Sequence, residues 1–265
     1  MSLRFTILGC GSSMGVPRVA LGWGDCDPNE PKNRRRRCAL LVEQGAPGKL
    51  TRALVDCGPD LREQMIDAKV DWLDGVLITH EHADHTHGID DLRPMFVLKR
   101  HRIDVWLDEP TSRALNARFA YCFMTPPGGS YPPILQEHRI TPGQGLTIQG
   151  QGGDIAVLPV LQDHGGIPSI GFRFGNVAYS TDLKSLPAAS IAALQGLDVW
   201  IVDALRRTPH PSHFNLDETL AWIERIKPKR AILTNMHTDM DFATLRRELP
   251  PNVEPAFDRM QFDVT

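Results

Sequence analysis

Thr79-His80-Glu81-His82-Ala83-Asp84-His85 sets four metal-binding side chains within six residues, directly after the apolar run Gly75-Val76-Leu77-Ile78. Along an extended segment, alternation puts His80 and His82 on one side, where both imidazoles can reach one ion. A turn after them would swing Asp84 and His85 toward a second ion. Imidazole with carboxylate suits Zn²⁺, and Mn²⁺ or Fe²⁺ remain feasible because such ligands select weakly among these metals. The competing reading, a run of surface histidines, does not explain four ligands packed behind a buried strand.

Working outward, three lone residues each follow a strand pattern, as a ligand at a sheet edge should. They are His164 in Gln162-Asp163-His164-Gly165, Asp182 closing Tyr179-Ser180-Thr181-Asp182, and His237 after Ile232-Leu233-Thr234-Asn235-Met236. Asp56 and Asp203 end apolar strands and are candidates to orient ligand imidazoles, which metal-bound histidines require; strand-end turn aspartates are the alternative. His87 is a candidate to line the pocket. His101, His138 and His210 read as background.

The rest of the pattern is α/β. Strand signals fall at Phe5–Leu8, Cys38–Val42, Arg52–Asp56, Gly75–Ile78, Ile103–Leu107, Ile155–Val160, Ser169–Phe174, Asn176–Tyr179, Val199–Val202 and Arg230–Leu233. The second and third form a hairpin around a Gly/Pro turn. Helices are expected at Leu61–Ala68, around Pro94 within Asp90–Lys99, and at Ala188–Ala193, Leu216–Ile226 and Phe242–Leu249. Val16–Asn33 and Thr125–Pro133 are dense in breakers and read as irregular chain. Without repeats or a linker, residues 1–265 are expected to form one layered α/β domain.

Composition excludes several classes. With 42% hydrophobic and 23% charged residues, the chain is neither fibrous nor disordered. Its net charge of −3 gives no reason to expect long nucleic acid as a partner. The local exception is Arg34-Arg35-Arg36-Arg37, read first as solvated surface and second as a phosphate clamp. Five widely spaced cysteines without a CxxC pair read as free thiols. No apolar run suits a signal peptide or membrane helix, so the expected location is cytoplasmic, without membrane partners.

The motif at residues 79–85 resembles the signature of the metallo-β-lactamase superfamily, and the likeness extends through Leu54-Val55-Asp56-Cys57-Gly58, Ser180-Thr181-Asp182 and the distal histidines. The resemblance implies a four-layer αββα sandwich holding two divalent metal ions, zinc or manganese, that activate a shared water. It implies His80, His82 and His164 on one ion, Asp84, His85 and His237 on the other, and Asp182 bridging. Gly9-Cys10-Gly11-Ser12-Ser13, Asp84–Leu92 and Ser212-His213-Phe214-Asn215-Leu216 are most similar to the branch containing ribonuclease Z and the cyclic phosphodiesterase of phosphonate breakdown. There, a histidine placed like His213 contacts the scissile phosphate, so catalytic roles are expected for His213 and Asp84.

Two departures stand out. Only Cys26 occupies the loop where that cyclic phosphodiesterase carries a cysteine-rich zinc site, so no third, structural zinc is expected. Leu233-Thr234-Asn235 replaces the relatives' Leu-Thr-His, leaving Asn235 and His237 as rivals for the last ligand position. The expected activity is a phosphodiesterase acting on a small cyclic phosphate or nucleotide. A ribonuclease Z-like RNA endonuclease, thioester or lactam hydrolysis, and a non-catalytic metal- or nucleotide-binding regulator are the alternatives. Oligomeric state is not fixed by the sequence, and a homodimer stays open.

Overall fold

A computed structural model describes residues 2–265. The first half of the chain supplies β1 (Leu3–Gly9), β2 (Ala39–Ala46), β3 (Lys49–Val55), β4 (Gly75–Leu77), β5 (Ile103–Leu107) and β6 (Leu135–Arg139). The second half supplies β7 (Leu146–Ile148), β8 (Ile155–Asp163), β9 (Pro168–Phe174), β10 (Val177–Ser180), β11 (Val199–Asp203), β12 (Arg230–Thr234), β13 (Val253–Pro255) and β14 (Met260–Val264). The helices are α1 (Leu61–Ala68), α2 (Ala83–Thr86), α3 (Arg93–Lys99), α4 (Glu109–Phe123), α5 (Ala188–Ala193), α6 (Leu216–Ile226) and α7 (Phe242–Glu248). Two seven-stranded sheets result, ordered β14-β1-β2-β3-β4-β5-β6 and β13-β12-β11-β10-β9-β8-β7.

Strand periodicity explains the layering. Phe5, Ile7, Leu40, Val42, Ala53, Val55 and Leu77 point from the first sheet into a core shared with Ile170, Phe172 and Ile201 of the second. Their neighbours Leu8, Leu41, Leu54 and Val76 point the other way, onto Leu61 and Met65 of α1, Met95 of α3 and Leu115 of α4. A strand with both faces buried must be apolar at nearly every position, as β3 and β4 are. On the far side, α6 buries Leu216, Thr219, Ile223 and Ile226 along one stripe. Asn215 and Glu218 close a reciprocal capping box at its start, and Lys227 in the left-handed region stops it. The architecture is the expected αββα sandwich.

Several elements do not announce themselves in the sequence. The longest helix, α4, buries only Thr111, Ser112, Leu115 and Cys122, so no strong apolar stripe marks it. Its signal is the start: Asp108 accepts from Thr111 N–H at 3.0 Å just before Pro110. Strand β14 pairs antiparallel with β1 from the opposite end of the chain, and β6, β7 and β13 are short.

Parallel pairing positions the site. Strands β3 to β6 run parallel in one sheet and β10 to β13 in the other. Their carboxyl ends therefore gather at one edge, where open α/β sheets place ligands. Asp56, Asp182 and Asn235 each turn just past such an end with positive φ (65°, 53° and 61°), a region that Asp and Asn tolerate best among residues with a side chain.

Arg34-Arg35-Arg36-Arg37 is neither solvated surface nor a phosphate clamp. Arg35 is 2% exposed and donates to the Met240 carbonyl at 2.7 Å and to Asn33 Oδ1 at 3.3 Å. Arg36 pairs with Asp67 at 2.7 Å and Arg37 with Asp60 at 3.0 Å, while only Arg34 is exposed, over the Trp23 ring. Among the described residues, no helix is long and apolar enough to cross a membrane.

Candidate metal centre

The chain leaves β4 extended through His80 to His82, which caps α2 with extended backbone angles. The single helical turn that follows redirects Asp84 and His85. Close backbone packing fixes that turn: a Cβ on Gly58 would stand 2.0 Å from the Asp84 carbonyl oxygen. Cys57 N–H also donates to the His85 carbonyl at 2.8 Å.

Asp182 stands at the centre of the resulting cluster, 2% exposed. Its Oδ2 lies 3.2 Å from His85 Nε2. Its Oδ1 lies 3.8 Å from Nε2 of both His164 and His213, and 4.0 Å from His80 Nε2. Asp84 Oδ2 is 3.3 Å from His85 Nε2, and His82 packs edge-on to both His80 and His164. Ligand atoms fall into three close groups: His80 with His82 and His164, His80 with His85 and Asp182, and His164 with Asp182 and His213.

Hydrogen bonds behind the rings fix which nitrogen faces inward. Nδ1 of His85 donates to Asp56 Oδ2 at 2.6 Å, that of His164 to the Ser212 carbonyl at 2.7 Å, and that of His213 to Asp203 Oδ2 at 2.9 Å. Thr79 Oγ1 donates to Asp56, so it accepts from His80 Nδ1 at 3.0 Å. All four rings thus donate from the outer nitrogen and aim Nε2 at the centre, where it offers a lone pair whenever the ring is neutral. Nε2 of His80 and of His85 is buried without a hydrogen-bond partner, a costly arrangement that a cation relieves. The donor set fits divalent metal.

Electrostatics separates the rings into two pairs. Burial drives the His80 and His164 imidazoles toward the neutral form a metal ligand needs. Burial opposes charge on His85 as well, yet Asp182, Asp84 and Asp56 together hold its proton affinity well above the usual value. Asp182, despite its burial, is held well below the carboxylate range by His85 and its neighbours. Burial raises Asp56 and Asp203. Against the effect of burial, Asp203 lifts His213 to about 9.

The structure therefore brings together His80, His82, Asp84, His85, His164, Asp182 and His213, with Asp56 and Asp203 behind them. It does not bring in His237. A guanidinium only donates, so Arg18 Nη1 at 3.1 Å takes the lone pair of His237 Nε2, while His237 Nδ1 faces Asp239 Oδ1 at 3.7 Å. His237 lines the cleft without facing Asp182. Asn235 does face it, yet through its amide nitrogen, 3.3 Å from Asp182 Oδ2 and 3.1 Å from Asp203 Oδ1. His87 is also misplaced by the sequence reading: it is exposed and packs edge-on to Phe119, outside the cleft.

A cleft of about 310 Å³ opens over the cluster, lined by Ser12, His82, Asp84, His210, His213 and His237 among others. His210, read as background from sequence, belongs here, with its ring 5.0 Å from that of His213. Ser212 N–H donates to its Nδ1 at 3.3 Å, which leaves the proton on Nε2, the reverse of the four inward-facing rings. Burial, helped by His213, lowers His210 to about 4. Its spacing of three from His213 within one loop was the only signal available.

Comparison with known proteins identifies the family. A relative named octanoyltransferase, from Porphyromonas gingivalis, is 32% identical over 98% of this chain, and the match covers 51% of that protein. Ribonuclease Z from a Bradyrhizobium species is 29% identical over 54% of this chain and 46% of its own length. The chain thus spans about half the length of the curated relative it matches over nearly its full extent. The crystal structure of a diphosphatase from the PhnP family is 33% identical, with a TM-score of 0.88, and the superposition covers 100% of this chain and 98% of that one. Since residues 51–236 also match the family described as the beta-lactamase superfamily domain, the chain belongs to the metallo-β-lactamase superfamily, in the branch of ribonuclease Z and the PhnP-type enzymes.

Proposed function

We propose that the protein is a metal-dependent phosphodiesterase acting on a small cyclic phosphate or nucleotide. The observation that carries this reading is the Asp203–His213 pair. A buried carboxylate grips Nδ1 at 2.9 Å and aims Nε2 into the cluster, 3.8 Å from Asp182. An alkoxide leaving group needs a proton, and an imidazole held in one orientation and kept basic by a carboxylate supplies it.

His80, His82, His164 and Asp182 would hold one divalent ion and Asp84, His85 and Asp182 a second. When bound, such ions make water acidic enough to attack near neutral pH and offset charge on the non-bridging phosphate oxygens. The protein's own groups do the rest. Asp84, partly exposed at the cleft, accepts the proton of the attacking water. Asp203 holds His213 in one orientation and favours its protonated form, in which both ring nitrogens carry a proton, and His213 donates from Nε2 to the departing oxygen. The Ser212 carbonyl holds the His164 ring, and the next residue in the chain is His213. The cleft volume suits a small molecule.

A second reading is favoured by the 33% identity to a diphosphatase along the whole chain: cleavage of a phosphoanhydride in a diphosphate-linked nucleotide. Its scissile phosphorus has the same two oxygen substituents and single charge, but its leaving group is a phosphate that needs protonation less. The test is to load the protein with Zn²⁺ or Mn²⁺ and assay bis(4-nitrophenyl) phosphate, 2′,3′-cyclic nucleotides, diphosphate-linked dinucleotides, lactams and thioesters. Turnover of phosphodiesters supports the first reading, and diphosphate cleavage alone the second. Turnover of lactams or thioesters with every phosphate intact overturns both.

A further inference from the structure

Asn235 is 1% exposed and follows the end of β12 with a φ of 61°, between two buried carboxylates. Its amide has one workable orientation. Nδ2 lies 3.1 Å from Asp203 Oδ1 and 3.3 Å from Asp182 Oδ2, while Oδ1 faces the Cys38 thiol at 3.9 Å. Turned over, the carbonyl oxygen would meet two carboxylates with nothing to donate to it, a costly contact away from water. Both Nδ2 protons are therefore engaged, one on each carboxylate. The backbone on either side is fixed as well: the Thr234 carbonyl accepts from Ala204 N–H at 3.0 Å, and Met236 N–H donates to the Cys10 carbonyl at 2.9 Å.

The two carboxylates serve different groups. Asp182 stands among the ligand atoms of the cluster, and Asp203 grips His213. Asn235 Nδ2 and His213 Nδ1, 3.3 Å apart, reach different oxygens of Asp203. A circuit of four side chains results: Asp182 to Asn235 at 3.3 Å, Asn235 to Asp203 at 3.1 Å, Asp203 to His213 at 2.9 Å, and His213 Nε2 back to Asp182 Oδ1 at 3.8 Å. Only the last step exceeds hydrogen-bond length, and its two residues both line the cleft. Leu183 N–H adds a second link, to Asp203 Oδ2 at 3.2 Å. An amide suits this place because one nitrogen carries two protons, whereas a neutral imidazole or a hydroxyl donates one.

We propose that Asn235 is a positioning residue that ties the metal-holding carboxylate to the proton-donating pair, so that one amide sets both the pose of Asp182 and the aim of His213 Nε2. The inference rests on the phosphodiesterase reading for the role of His213 and goes beyond it: the two halves of the site hold their geometry as one unit. Asn235 then acts through its neighbours and itself binds neither metal nor substrate.

Three measurements on variants test it. Asn235→Gly removes the amide without strain at this φ. Proton NMR of chelator-treated protein reads the low-field Nδ1 protons of His213 on Asp203 and of His85 on Asp56, assigned by their loss in His213→Asn and His85→Asn. Asn235→Gly is expected to shift or broaden the His213 signal and to leave that of His85, whose carboxylate is not an Asn235 partner. Asn235→Asp, which keeps the shape but loses both donors, should move the same signal, so the test survives a glycine variant that folds poorly. Zn²⁺ affinity of Asn235→Gly, by chelator competition, is expected to fall about 10-fold. On metal-saturated enzyme its cleavage of 2′,3′-cyclic nucleotides, which release an alkoxide, is expected to slow about 10- to 100-fold, and its cleavage of bis(4-nitrophenyl) phosphate much less. A His213 signal that stays put in both variants, or that is lost together with that of His85, overturns the tether and leaves the phosphodiesterase reading standing. If no phosphodiester is turned over, that reading fails, and the NMR and metal titrations alone decide the tether.

Discussion

His85 Nδ1 donates to Asp56 Oδ2 at 2.6 Å in a position where neither side chain meets solvent. The same carboxylate receives Thr79 N–H at 2.9 Å and, through Thr79 Oγ1, steadies His80. One buried carboxylate thus orients two inward-facing rings. Asp56→Asn is expected to weaken metal binding about 10- to 100-fold, as loss of such supporting partners typically does. Competition against a chromogenic chelator measures this, and wild-type affinity in the variant would show that the rings hold their orientation without Asp56.

Replacing His213 separates its role as proton donor from a role as ligand, since its Nε2 is also one of the atoms grouped around Asp182. His213→Asn is expected to slow cleavage of an alkyl phosphodiester about 10²- to 10⁴-fold, and to slow a 4-nitrophenyl ester much less because that leaving group needs no proton. Metal content should stay at the wild-type value. A matching loss of metal would make His213 a ligand.

Metal stoichiometry distinguishes the two distal histidines. His164→Ala removes a ring whose Nε2 faces Asp182 at 3.8 Å and should cost the protein its tighter ion. His237→Ala should leave stoichiometry unchanged in elemental analysis, because its Nε2 is engaged by Arg18. With Asn235 presenting its amide nitrogen to Asp182, the ion beside Asp84 and His85 lacks a second imidazole and should titrate as the weaker of the two. Loss of an ion in His237→Ala would restore the ligand set implied by family resemblance.

Asp241 caps α7 through Thr244 N–H at 2.8 Å and grips Asn33 Nδ2 at 2.7 Å, joining the irregular 16–33 segment to the second sheet's helical layer. Although its partial burial works in the opposite direction, these donors hold its carboxyl at about 2, below the ordinary 3.8. Its stabilising contribution is therefore complete above about pH 4 and is lost as pH falls through about 2. Asp241→Ala is expected to cost about 1 kcal/mol near neutrality. In urea melts the difference from wild type should narrow between pH 4 and pH 2, and a gap that held constant there would exclude the carboxylate as its source.

The sequence by itself determined the elements whose signals are local. The 79–85 motif behind an apolar strand, the helix boundaries of α1, α5 and α6, the β2–β3 hairpin and the strand-ending aspartates are all written in spacing and in turn or cap residues a few positions apart. Tertiary structure decided what depends on groups remote along the chain. The partner of β1 is β14, at the opposite end of the chain, and α4 is stabilised where its weak stripe meets the first sheet. His213 and His237 look alike in sequence, but Asp203 turns one ring into the cluster, and Arg18, 219 positions from His237, claims the other's lone pair. Periodicity reports which face of an element is buried; which nitrogen of a ring faces a metal is set by the hydrogen bond on its other side, and that partner comes from wherever the fold brings it.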